Sequence, residues 1–149
     1  MTTTTHSSSI DANKALVRRA IGYNHAPRFS VGGAVDDGAE IFAPDFVAYM
    51  PGQPPMNRAA FEHFVAGVSD GIPGYTYEIH DQIAQGDLIV NRVTWRGVHS
   101  AVLAGVPATG RSVELRGINM FRVREGRVVE QWAQLDMLGL LQQIGVVPT

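Results

Sequence analysis

The groups in this chain able to hold or move a proton are few, and their placement is uneven. The stretch EQWAQLDMLGLLQQIG, residues 130–145, sets Asp136 between an alternating segment and a leucine-rich one with helical spacing. An Asp at such a junction can start the helix by accepting a free backbone N–H. Near an apolar pocket, desolvation makes a carboxylate a better base, fit to take and return a carbon-bound proton. Trp132, two turns of the pleat away on the same strand face, could supply that environment. Both roles are open to Asp136.

Other candidates follow from residue type and position. His99 closes an apolar-aromatic run, TWRGVH, and an imidazole there can share a proton or bond a quinone oxygen at neutral pH; the plainer role is a satisfied structural histidine. Tyr49 and Asn119 are neutral donors able to orient a carbonyl or hold an enolate oxygen, with core packing and a strand bend as the structural alternatives. Gln134 neighbours Asp136 by strand parity. Trp95 and Trp132, with Phe61 and Phe64, can wall a pocket for a planar aromatic ligand or simply fill a core; Trp132 is the better placed by parity. Arg122 and Glu130 flank a turn, REG, and suit a cross-strand ion pair.

Metal chemistry has little to build on. The chain has no cysteine, and the histidines at 6, 25, 63 and 80 lack the paired spacing of a zinc site, so no metal is expected. GVPATGRS, residues 105–112, nearly spells a phosphate loop. Arg111 stands where lysine is needed, however, and a strand rather than a helix follows, so it reads as a hairpin loop.

The elements that must position these groups are legible from periodicity. Leu16, Val17, Ala20 and Ile21 recur at helical spacing after Asp11, a plausible N-cap. HAPRFSVGGAVDDG, residues 25–38, reads as a long loop leading to a helical turn at AEIFA. FVAYM, 46–50, is a strand stopped by Pro51. Asn57 caps a second helix with Phe61, Phe64, Val65 and Val68 on one face, ended by Gly71 and Pro73. After Gly74 the period changes to two, and four β-rich segments separated by turns predict an antiparallel sheet. The fold class is therefore α+β, with the helices on one face of a curved sheet. On the last strand Glu130, Trp132, Gln134 and Asp136 share one face and Gln131, Ala133 and Leu135 the other; a single β-bulge would exchange the sets.

A length of 149 residues fits one domain, read as 11–149 after a polar, flexible segment 1–10. A net charge of −2 with scattered Lys and Arg argues against nucleic acid and against an acidic membrane surface. No apolar run approaches the roughly 20 residues that span a bilayer, and the N-terminus lacks a signal pattern, so a cytoplasmic location is expected.

The order His99, Pro107, Ala108, Thr109, Gly110, Arg122, Gly126, Glu130, Trp132, Asp136, Gln143, Ile144, Gly145 resembles the SnoaL-like polyketide cyclases, or ester cyclases, of the NTF2-like superfamily, over about residues 11–145. The resemblance implies a conical α+β barrel, often dimeric through its open sheet. It implies cofactor-free intramolecular aldol condensation of an aromatic polyketide ester, with Asp136 as general acid/base and a histidine at His99. Limonene epoxide hydrolases are a more distant relative, but their acidic pair is replaced here by Thr94 and Gln134 around Arg92. The superfamily is catalytically diverse. The expected ligand is thus a small apolar, oxygenated, polycyclic molecule. The alternatives are another isomerase or hydrolase and a non-catalytic binding or dimerisation module.

Overall fold

A computed structural model describes residues 3–25 and 38–149 of the chain. The predicted loop at 25–38 therefore falls largely outside the described residues. The element order is α1 (Thr3–His25), α2 (Gly38–Ile41), β1 (Phe42–Tyr49), α3 (Arg58–Gly71), β2 (Thr76–Gln85), β3 (Leu88–Val98), β4 (Ser112–Arg124), β5 (Arg127–Leu135) and α4 (Met137–Gln143).

Helix α1 begins at Thr3, so Asp11 lies inside it rather than at its start. The Thr and Ser residues there carry no apolar stripe, which is why periodicity marked only the later turns. Those later turns bury Val17, Ala20, Ile21 and Asn24 on one face. Asn57 caps α3 as expected, its side chain accepting from the Ala60 amide at 2.9 Å.

The sheet has five strands in the order β1-β5-β4-β3-β2. Strands β2 to β5 form the expected antiparallel meander. Strand β1, longer than FVAYM, adds a fifth member by pairing parallel to β5. Pro44 is tolerated there because β1 is the edge strand of the sheet, its far side met among the described residues by an isolated bridge from Ala48 to Met56. The sheet does not close on itself; the helices fill the concave side. Phe46, Phe61 and Phe121 are essentially inaccessible between sheet and helices, each worth roughly 1.5–3 kcal/mol on burial.

One tight turn and two bulges fix the register of the meander. Glu125 and Gly126 both have positive φ, 51° and 74°, the two-residue turn that suits a right-handed hairpin twist. Between β4 and β5, Arg122 pairs with Glu130 but Val123 pairs with Val128, leaving Val129 as an extra residue. Between β2 and β3, Ile79 pairs with Val93 and Asp81 with Arg92, leaving His80 extra. Each bulge reverses the alternation of its strand from that point.

Candidate functional site

The bulge at Val129 decides what β5 offers to the concave side. Val128 is buried, and beyond the extra residue it is Gln131 and Ala133 that are buried with it, while Gln134 is exposed. The face expected to point inward, Trp132, Gln134 and Asp136, points outward instead. This corrects the parity argument: the chain carries the bulge that exchanges the two sets.

The concave side holds a cavity that opens to solvent at one mouth. Helix α1 contributes Ile21 and Asn24, and α3 contributes Phe61, Phe64, Val65 and Val68. The sheet contributes Trp95 from β3, Leu115 and Asn119 from β4, and Gln131, Ala133 and Leu135 from β5. The wall is thus largely apolar and aromatic with an amide patch, the composition of a site for a small hydrophobic ligand.

The amides are arranged by sheet register. Asn91, Asn119 and Ala133 stand opposite one another across β3, β4 and β5. The Asn91 Nδ2 donates to Asn119 Oδ1 at 2.9 Å, a buried cross-strand bond. Gln131 sits one pleat further along β5, and Asn24 reaches the same cavity from α1. The small Ala133 side chain leaves room beside Asn119. Sequence reasoning placed Asn119 here but missed Gln131 and Asn24; the apolar spacing of α1, with Asn24 four residues after Ala20, was the available signal.

The other candidates divide plainly. Trp95 and Phe64 line the cavity with Asn119. Trp132 does not: it stacks on Tyr49 with ring centroids 5.6 Å apart and planes 9° from parallel, and Arg122 lies over it at 5.8 Å. The preference for Trp132 over Trp95 is reversed by the same bulge. Tyr49 is 37% exposed and, like Trp132, is not part of the cavity lining. Arg122 also donates to Glu130 at 3.0 Å, the expected cross-strand pair, and to Asp87 at 2.9 Å. The bond to Asp87 is the main cause that raises the Arg122 pKa above its ordinary value, with burial working the other way.

His99 is fully buried and holds the β3–β4 loop rather than lining the cavity. Its Nδ1 lies 2.9 Å from the Thr109 hydroxyl and accepts the Thr109 amide at 3.3 Å. The His99 backbone also receives the Gly110 amide, and its own N–H donates to the Arg111 carbonyl. The PATG segment is therefore a clasp for His99. Nearby, Leu103 and Val106 form a tight bridge around Ala104 and Gly105, both at positive φ.

Asp136 is exposed at the end of β5 and caps α4, its Oδ1 accepting the Gly139 amide at 2.9 Å. With Gln134 it borders a shallow hollow on the outer sheet face, away from the apolar cavity. His80, re-aimed by its bulge, bonds Thr94 Oγ1 at 2.7 Å in that hollow. Around it Arg92 pairs with Asp81, and Arg96 bridges Glu78 and Glu114. These pairs are exposed and individually worth little.

An α+β cone whose open sheet and helices enclose an apolar cavity is an NTF2-like architecture. The family model for SnoaL-like polyketide cyclase matches residues 27–144, and the chain belongs to that family. Among solved structures, the chain resembles IdmH, a candidate polyketide cyclase from Streptomyces antibioticus, at 30% identity and TM-score 0.73, over 90% of this chain and 99% of that one. It also resembles AclR, a candidate hydroxylase from Streptomyces galilaeus, at 25% identity and TM-score 0.77, over 94% and 85%. A SnoaL-like protein from Jannaschia shares the fold at 22% identity and TM-score 0.77, over 93% and 94%. No curated protein matches the chain in sequence. No described helix is long and apolar enough to cross a membrane.

Proposed function

We propose that the chain is a cofactor-independent polyketide cyclase that folds an apolar, oxygenated, polycyclic substrate in the cavity for intramolecular aldol condensation. The observation that carries this reading is the amide patch of Asn24, Asn119 and Gln131 set in a largely apolar, aromatic wall that also includes Ser69, Tyr75 and Arg96. In the reaction a carbon beside a carbonyl gives its proton to water entering through the cavity mouth and attacks a second carbonyl, whose oxygen takes a proton back from water; no electrons are exchanged with a cofactor. The wall holds the two carbons in a reactive pose, and the amides bond the oxygen on which charge develops.

The acid–base role that the resemblance implies for Asp136 is not part of this reading. Its carboxylate is exposed and engaged as a cap, and no carboxylate or imidazole is among the described residues that line the cavity. That same observation favours a second reading, a binding module without chemistry. Incubation with an aromatic polyketide methyl ester, followed by chromatography and mass spectrometry, separates the two. Ring closure that is lost in Ala133→Phe, which fills the cavity, supports the cyclase; tight binding with no product supports the module.

Two copies of the chain would meet through the outer sheet face. Arginines and glutamates interleave there, so one patch can face its own image across a two-fold axis, and Ile118 is exposed among them. Sedimentation equilibrium of the wild type and of Arg96→Glu tests this, with weaker association expected in the variant.

A further inference from the structure

Two hydroxyls line the cavity where the end of α3 meets the start of β2, apart from the amide patch. Ser69 and Tyr75 are both partly buried in that wall. A serine hydroxyl has one proton, and the Val65 carbonyl, which only accepts, takes it at 2.9 Å. Towards Tyr75 the Ser69 oxygen therefore stands as an acceptor, 3.4 Å from the phenol oxygen. That contact is at the long limit of an O–H···O bond, so a ligand oxygen at the usual distance of about 2.7 Å outcompetes it. The backbone holds the phenol in place. The Tyr75 amide donates to the Ile72 carbonyl at 3.3 Å across a turn in which Gly74 takes a φ of 71°. This turn rests on β3 at Gly97, where a methyl group would collide with Ile72 and stand 3.0 Å from Tyr75 Cβ. The Tyr75 ring packs against the cluster that includes Ile72, Val113 and Leu115.

We infer that the Tyr75 hydroxyl is the hydrogen-bond donor to a carbonyl oxygen of the ligand, with Ser69 as the residue that positions it. The inference rests on the cavity being the ligand site and deepens the cyclase reading. A phenol is a stronger acid than an amide, an indole or an alcohol, so its bond tightens most as charge gathers on that oxygen in the aldol step. Arg96, the cation of the same wall, is half exposed and held by Glu78 and Glu114 at 3.3 Å each. The proton of Ser69 is committed to Val65.

The test is infrared spectroscopy and titration of the full chain with 9-fluorenone, a flat ketone that has no proton to donate. Wild type, Tyr75→Phe and Ser69→Ala are compared, each checked for folding by thermal denaturation. The carbonyl stretch of bound fluorenone is expected at lower frequency in the wild type than in Tyr75→Phe, which binds it roughly three- to tenfold more weakly. Ser69→Ala is expected to keep binding and to move the band part of the way, a change that a merely structural role would not produce; it carries the test alone if Tyr75→Phe does not fold. The same stretch in the wild type and the variants, with fluorenone bound to each, would overturn this inference and leave the ligand site standing. No binding to the wild type would overturn the ligand-site reading and this inference with it.

Discussion

The Asp136 carboxylate accepts the Gly139 amide at 2.9 Å, and the Asp136 backbone carbonyl accepts from Leu140 at 3.1 Å, so one residue closes β5 and opens α4. Asp and Asn cap about equally well, whereas Ala does not. Asp136→Asn is therefore expected to keep both stability and turnover, and Asp136→Ala to lose about 1 kcal/mol of stability while keeping turnover. Thermal denaturation and a turnover assay on the same samples check this. A stable Asp136→Asn protein without turnover would restore the proton-carrier role.

The bond between Asn91 and Asn119 should show as coupling. Asn119→Leu leaves the Asn91 amide group buried without its acceptor and is expected to cost roughly 1–3 kcal/mol. The double variant Asn91→Leu, Asn119→Leu should cost clearly less than the two single changes added together. Urea unfolding of the four proteins gives the cycle, and strict additivity would mean that the bond contributes nothing of its own.

The two tryptophans should separate in ligand binding. Trp95→Ala is expected to weaken an aromatic probe such as 2-hydroxyanthraquinone by about tenfold. Trp132→Ala and Tyr49→Ala should leave its affinity unchanged, because their stack lies outside the cavity. Titration of each variant reads the difference directly, and an effect of Trp132 as large as that of Trp95 would contradict the assigned faces.

Gly117 is a matter of space. A methyl group there would stand 2.5 Å from Leu135 Cδ2, 3.0 Å from the Gln134 carbonyl and 3.2 Å from the Trp95 ring. Since the carbonyl belongs to the paired strand and cannot swing away, Gly117→Ala is expected to destabilise by roughly 1–3 kcal/mol. It should also shift the Trp95 ring and weaken probe binding, both measurable by thermal denaturation and titration.

Much of the frame was legible because its signals are local. Alternation marked β2 to β5, Asn57 marked the start of α3, and the REG turn marked the hairpin whose register brings Arg122 to Glu130. The resemblance added the family, which the match over residues 27–144 establishes. What escaped is non-local or unmarked. Nothing in Arg127, Val128, Val129, Glu130 distinguishes the residue that bulges, since no glycine or proline sits there; the choice is made by packing of Val128 into the core. The reversal of Trp95 and Trp132, and the move of Gln134 and Asp136 to the outer face, all descend from that single ambiguity. The pairing of β1 with β5 joins residues far apart in the chain, and periodicity carries no information about such partners. The early start of α1 escaped for the opposite reason, since a Thr and Ser run has no stripe to betray a helix.

The extra residue at Val129 makes pairing register, rather than side-chain identity, the determinant of what a ligand meets. Drawing Val129 into the ladder next to Val128 would turn the rest of β5 over, presenting indole, amide and carboxylate to the cavity and sending Gln131 and Ala133 to solvent, whereas deleting Val129 would leave every pair and every face as it is. A bulge that closes or opens can thus trade an aromatic, amide-bearing binding wall for an acidic one with every amino acid left in place.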